Sequence, residues 1–200
     1  IMKPTNPYAA SKAAAEQLIY AYIASYSLPI IITRSNNVYG PYQYPEKLIP
    51  KFIYLLKQGQ ICPIHGNGKK ARYYLYIDDL VHAFDILLQQ GKNGQIYNIG
   101  ASEKKTILQI YQLLYKNIIG ENEPPLKKHI NDRHYNDSAY YLNNDKIYKD
   151  TTWKAITSFE DGMRKTILWY QQYIDLYIQQ LDEQRLLQQM QTSSYQSLIK

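Results

Sequence analysis

Cysteine is nearly absent. Cys62 stands alone in 200 residues, so no disulfide can form within the chain, and a reducing, cytoplasmic location is the simplest expectation. Long apolar runs are missing too: the longest, such as Leu28 to Ile32, fall far short of the roughly 20 residues a membrane-spanning helix needs. The opening Ile-Met-Lys-Pro-Thr-Asn-Pro has no apolar stretch behind a basic cluster and does not read as a signal peptide. No basic block exists either: the lysines and arginines are scattered, with no run longer than pairs such as 69–70, 104–105 and 127–128. The net charge of +6 suits an anionic ligand or a solvated basic surface, and gives no argument for nucleic acid. His82 and His129 lack partners at metal-ligand spacing, so no metal site is read. Gly66 and Gly68 have no Walker pattern and no following Lys-Ser/Thr, and read as a turn.

What is present is an alternation of helical and strand signals, which predicts an α/β fold. Thr5-Asn6-Pro7 forms a helix start, with either Thr5 or Asn6 as cap and Pro7 in the first turn. The helix runs to about Tyr26 with Ala15, Leu18 and Tyr22 on one side, and Leu28-Pro29 ends it. Ile30 to Thr33 is a β-branched run that reads as a buried strand, followed by a loop from Asn36 to Pro41. Leu48, Phe52 and Leu55 predict a helix over about 45–58. A short strand is expected near 61–64, another over 73–77, then a helix to Gln90 capped by Asp78-Asp79. Gln95 to Ile99 reads as a strand and Thr106 as the cap of a helix carrying Ile107, Ile110, Leu114 and Ile118. A short strand is expected near 127–130. From Phe159 an apolar stripe through Met163, Ile167, Tyr170, Ile174 and Leu181 marks a long helix. Beyond about Asp182 the chain turns Gln-rich and Ser-rich, where fraying and a loose tail are expected. The 22 tyrosines read as composition bias.

Tyr8 and Lys12 make a Tyr-x-x-x-Lys pair, four apart on a helix and so on one face. A phenol is a weak acid, and a neighbouring ammonium stabilises its phenolate. Such a pair can take a proton from a sugar hydroxyl while a hydride leaves the same carbon. By spacing alone it equally fits a surface lysine beside a half-buried tyrosine. The surroundings decide.

The string Pro4-Thr5-Asn6-Pro7-Tyr8-Ala9-Ala10-Ser11-Lys12-Ala13-Ala14-Ala15-Glu16 resembles the active-site helix of the extended short-chain dehydrogenase/reductases. Arg34-Ser35-Asn36-Asn37-Val38-Tyr39-Gly40-Pro41 is similar to the strand and loop that follow it in that family. Tyr42-Gln43-Tyr44-Pro45-Glu46-Lys47-Leu48-Ile49-Pro50 resembles the segment typical of dTDP-glucose 4,6-dehydratases. Four further blocks agree in order: Pro63-Ile64-His65-Gly66-Asn67-Gly68; Arg72 with Tyr76-Ile77-Asp78-Asp79; Tyr97-Asn98-Ile99-Gly100; and Asp132-Arg133. The resemblance covers about residues 1–170.

It implies a fold made of the C-terminal part of a Rossmann-like parallel sheet plus a smaller α/β substrate-binding domain. Residues 1–172 would form that portion, and 173–200 a helical extension with the loose tail. The implied reaction converts dTDP-glucose to dTDP-4-keto-6-deoxyglucose with loss of water, through a redox cycle of bound NAD. Tyr8 would be the base, and Lys12 would hold the phenolate and the nicotinamide ribose, with Asn36 also at the cofactor. Asn37 would contact the sugar or its phosphates, and Lys47 and Leu48 would line the nucleotide-sugar site. Pro63 and His65 would lie beside the nucleotide base, and Arg72 and Arg133 would grip the diphosphate. Asn98 would bond near the phosphates. Lys47 also reads as a solvated helix lysine, and Asn98 as a residue satisfying backbone at a strand end.

The sequence departs from the family pattern at Tyr73, His134 and His65, which stand where the family often has Asp or Asn, Pro, and Tyr. The Gly-x-x-Gly-x-x-Gly loop that receives the cofactor pyrophosphate does not occur here, so the 200 residues are expected to be inactive alone and part of a longer chain. That longer chain would be a homodimer. Two alternatives remain at this stage: a UDP-sugar 4-epimerase or decarboxylase on the same scaffold, and a truncated, non-catalytic binding protein.

Overall fold

The computed structural model describes residues 3–121, 123–132 and 140–198, with side chains described to residue 182. The chain forms two compact units that alternate along the sequence. One comprises Ile1–Val38, Tyr73–Lys104 and Tyr140–Thr157; the other comprises Tyr39–Arg72, Lys105–Ala139 and Ser158–Lys200. Among the described residues, no helix is long and apolar enough to cross a membrane.

In the first unit, helix α1 (Pro7–Tyr26) precedes strand β1 (Ile32–Ser35), which pairs in parallel with β5 (Ile96–Ile99). A parallel pair needs a crossover connection, and this one contains α3 (Ile77–Gln90). A short helix α5 (Asp145–Thr151) packs against β5 and α3. Leu75, Leu80, Ala83, Leu87, Tyr97, Ile99, Ala101, Ile147 and Trp153 form the core. Its polar seam is satisfied internally. The Trp153 indole donates to the Asp79 carbonyl at 3.2 Å, and the buried Asp79 carboxylate accepts from the Thr157 amide at 3.0 Å and hydroxyl at 3.1 Å. Such pairing is what lets a carboxylate stay inside an apolar cluster.

In the second unit, β3 (Cys62–His65) pairs in parallel with β7 (Lys127–Ile130). Helix α2 (Leu48–Lys57) packs against β3, α4 (Ile107–Ile118) and α6 (Phe159–Leu198). Ile49, Phe52, Ile53 and Leu56 from α2 are buried, as are Ile110 and Leu114 from α4 and Met163, Ile167, Tyr170 and Ile174 from α6. Thr106 caps α4 in a full capping box: its hydroxyl takes the Gln109 amide, and the Gln109 side chain takes the Thr106 amide. Gly66 and Gly68 form the turn after β3 with φ of +57° and +69°. At Gly68 a Cβ would lie 2.6 Å from Leu108 and 2.7 Å from Ile64, so glycine is required there for space as well as backbone. Three further short strands are β2 (Asn37–Tyr39), β4 (Ala71–Tyr76) and β6 (Lys104–Thr106).

Several expectations need correction. Strand β1 begins at Ile32 rather than Ile30, because its ladder is set by β5: the Ile32 amide bonds the Gln95 carbonyl and Ile32 pairs with Ile96. Part of the loop expected over 36–41 is β2. Helix α2 starts three residues late, since Lys47 is extended and the Lys47 amide closes a turn onto Tyr44. Strand β6 and helix α5 carry too little periodicity to have been read. Helical backbone continues to Leu198, past the expected loose tail; Gln, Leu, Arg and Met are good helix formers.

Trp153 tests the core of the first unit. Trp153→Ala removes a side chain 2 % exposed and leaves the Asp79 carbonyl without its indole donor. We expect a loss of about 3–5 kcal/mol in denaturant unfolding; a loss below about 1 kcal/mol would contradict this packing.

Candidate active site

Asn6 is the cap of α1: its side-chain oxygen accepts the Ala9 amide at 2.8 Å, and Pro7 takes the first helical position. That fixed start places Tyr8 and Lys12 one turn apart. Both are exposed, Tyr8 by 75 %, and among the described residues the Tyr8 hydroxyl makes no hydrogen bond. Ala15, Leu18 and Tyr22 share a side as expected, but that side is exposed, and α1 has no buried residue. The half-buried stripe is instead Ala9, Ala13, Glu16, Ile19 and Ile23. Small alanines and a carboxylate on this stripe give little apolar signal, while apolar side chains elsewhere surround the helix.

Glu16 is the anchor on that stripe. Arg34 of β1 grips it with two guanidinium nitrogens, Nε to Oε1 at 2.9 Å and NH2 to Oε2, the fork-on-carboxylate geometry that lysine cannot reproduce. The hydrogen bond from Arg34 holds the Glu16 carboxyl below its ordinary range, with burial opposing; the same bond raises Arg34. Neither residue was given a role from the sequence. A half-buried acid one turn after Lys12 was the available signal. Arg34 is paired in register with Asn98 of β5, and residues paired across a parallel ladder share a face. Asn98 is therefore on the face of β5 that corresponds to the α1-binding face of β1.

Asn36, between β1 and β2, is 4 % exposed. Its side-chain oxygen accepts the Ala101 amide at 3.0 Å, and its nitrogen donates to the Tyr140 carbonyl at 3.4 Å. Its amide is thus engaged in holding the end of β5, whereas Asn37 is exposed on β2. The sequence reading also missed Asn144, whose amide accepts from the Gly100 N–H at 2.7 Å and donates to the Gly100 carbonyl at 2.8 Å.

In the second unit, Lys47 is the N-cap residue of α2 and Leu48 its first residue. Lys47 is exposed and pairs with Glu46 at 2.8 Å. Pro63 and His65 are half-buried on the face of β3 opposite buried Cys62 and Ile64. His65 Nδ1 lies 3.2 Å from the Asn131 carbonyl, and His129 Nδ1 lies 2.7 Å from the Gly66 carbonyl. Arg72 is half-buried at the start of β4, with one guanidinium nitrogen donating to the Ala71 carbonyl at 3.3 Å. Arg133 lies outside the described residues. Its neighbour Asp132 pairs with Lys70 at 2.8 Å. Burial raises the Cys62 thiol to about 12, so it is not a nucleophile at neutral pH. Among the described residues, no group of three or more His, Cys, Asp or Glu could hold a metal ion.

A capped helix presenting Tyr-x-x-x-Lys, followed by a parallel α/β pair with asparagines at its end, defines a Rossmann-like α/β scaffold. The chain belongs to the GDP-mannose 4,6 dehydratase family, which matches residues 1–166. It is 46 % identical over 169 residues to a trifunctional UDP-glucose 4,6-dehydratase/3,5-epimerase/reductase of Arabidopsis thaliana, covering 84 % of this chain and 25 % of the relative. It is 44 % identical over 174 residues to the dTDP-D-glucose 4,6-dehydratase of Homo sapiens, covering 85 % and 49 %. Among solved structures, a dTDP-glucose 4,6-dehydratase of Streptomyces venezuelae with NAD and TYD bound superposes with a TM-score of 0.80 at 34 % identity. That match covers 86 % of this chain and 52 % of the other. The chain thus spans between a quarter and about half the length of these relatives.

The ion pair beneath α1 has a definite pH signature. A carboxyl held low in the folded state contributes stability above its unfolded value and loses it as pH falls through the folded value. The stability difference between the native chain and Glu16→Gln should be full at neutral pH, shrink below about pH 4, and vanish in stronger acid. A difference unchanged across that range would contradict the assignment.

Proposed function

We propose that this chain is the C-terminal part of an NAD-dependent nucleotide-sugar 4,6-dehydratase, converting dTDP-glucose to dTDP-4-keto-6-deoxyglucose and water. The observation that carries the reading is the exposed Tyr8 and Lys12 on one face of a capped helix, in a chain of the dehydratase family. The donor set suits the cofactor: a phenol that makes no hydrogen bond among the described residues and an exposed ammonium one turn away match a ribose hydroxyl and a sugar hydroxyl. NAD, when bound, supplies the hydride acceptor for C4 and the hydride donor for C6, so the cycle has no net redox change. Tyr8 takes the O4 proton, and Lys12 stabilises the phenolate and holds the ribose.

The remaining roles belong to the same reading. Asn37 and Asn98 serve the sugar and its phosphates, Lys47 and Leu48 the nucleotide sugar, Pro63 and His65 the nucleotide base, and Arg72 and Arg133 the diphosphate. Asn36 acts at the cofactor through its hold on the loop after β5, since its side chain is committed there. The scattered positive charge favours the anionic substrate. A homodimer and a cytoplasmic setting complete the proposal; the exposed Leu18, Tyr22 and Tyr26 of α1 suit the first, and the solitary Cys62 the second.

Two experiments test it. In the full-length protein, Tyr8→Phe should lower turnover of dTDP-glucose by about 10²–10⁴-fold while nucleotide-sugar binding persists; retained turnover would remove Tyr8 as the base. Residues 1–200 alone carry no Gly-x-x-Gly-x-x-Gly segment and should show no turnover with dTDP-glucose and added NAD, and measurable product would contradict this.

A further inference from the structure

The segment from Pro41 to Lys47 leads directly into α2, and its backbone is strained. Tyr42 has φ of +60°, a left-handed conformation that is unfavourable for a bulky residue. Helix α6 holds it there. The Tyr42 ring lies 4.5 Å from Trp169 and 6.0 Å, edge to face, from Tyr177, while Trp169 and Tyr177 are 5.7 Å apart. Two phenols of the same helix donate to successive loop carbonyls: Tyr177 to Tyr42 at 2.9 Å and Tyr170 to Gln43 at 2.6 Å. Burial raises both phenols, so they remain protonated donors throughout the neutral range. The Lys47 amide then closes onto the Tyr44 carbonyl at 3.0 Å, and Lys47 and Leu48 open α2. The family match ends at residue 166, so Trp169, Tyr170 and Tyr177 all lie beyond it.

We propose that Trp169, Tyr170 and Tyr177 are positioning residues for the nucleotide-sugar site, locking Tyr42-Gln43 in its strained form and so fixing where α2 presents Lys47 and Leu48. This rests on the reading that Lys47 and Leu48 contact the nucleotide sugar. A loop in a high-energy conformer returns to ordinary backbone once its restraints go, and the residues downstream lose their setting. Removing one phenol hydroxyl takes away a single hydrogen bond to the loop, which corresponds to about a three- to tenfold weakening.

The test uses the full-length protein, with calorimetric titration of dTDP and UDP alongside steady-state kinetics. Tyr177→Phe keeps the ring and loses the hydroxyl. It should raise the Kd of the nucleoside diphosphate and the KM of the nucleotide sugar about three- to tenfold, with kcat within twofold and the unfolding midpoint nearly unchanged. Lys47→Ala should weaken the same binding, and the double variant should be no weaker than Lys47→Ala alone. If Lys47→Ala weakens binding and Tyr177→Phe does not, the clamp is overturned and the site reading stands. If Lys47→Ala leaves binding unchanged, the site reading itself fails and the clamp with it. Additive losses in the double variant would also overturn the clamp, because they would show Tyr177 acting independently of Lys47.

Discussion

The grip of Arg34 on Glu16 is the constraint on which the first unit's chemistry depends. Helix α1 carries the proposed base, yet none of its side chains is buried, so ordinary core packing does not set its rotation. The half-buried stripe supplies closeness through Ala9 and Ala13, and the two-pronged ion pair supplies orientation. A helix so oriented shows Tyr8 and Lys12 to solvent. On the strand side, Arg34 is fixed by the β1–β5 ladder, which also places Asn98 in register beside it. One charge pair therefore couples the helix of the proposed base to β1, whose partner strand β5 has its end held by Asn36 and Asn144.

The second unit solves a related problem with tyrosine. Carbonyls of its loops and of the first turn of α6 are met by buried or half-buried phenols. Tyr39 bonds the Phe159 carbonyl at 3.1 Å, Tyr115 bonds the Glu123 and Pro124 carbonyls at 2.8 and 2.7 Å, and Tyr170 and Tyr177 bond the loop before α2. A ring that fills volume while its hydroxyl ties a loop does the work of two smaller residues. The abundance of tyrosine thus has a structural use that composition alone did not reveal.

Helices whose apolar residues follow one stripe were legible from the sequence: α4 and α6, with the Thr106 cap and the start at Phe159; α3 was legible as a helix to Gln90, but its cap is Tyr76 rather than Asp78-Asp79. The Asn6–Pro7 start of α1 and strand β7 were legible too. Residues whose settings depend on distant partners were not. The rotation of α1 comes from Arg34, eighteen positions from Glu16, and the start of β1 comes from its register with β5. Strands β2 and β6 are three residues each, too short for a period to show. In the candidate site, the shared helix face of Tyr8 and Lys12 was legible because their spacing is local. Asn36 was legible as a conspicuous residue but not as one whose amide is already committed, and Asn144 gave no local sign of its hold on Gly100.

On the proposed function, the exposed Tyr8–Lys12 helix serves dehydration of a nucleotide sugar rather than another reaction of the same scaffold. The most direct measurement follows the hydrogen at C4. The full-length protein would be given dTDP-glucose deuterated at C4, and the product examined by NMR and mass spectrometry. A 4-keto-6-deoxy sugar with the deuterium at C6 and one water lost is expected. Deuterium returned to C4 of a sugar that has lost no water would contradict it and assign the site to epimerisation.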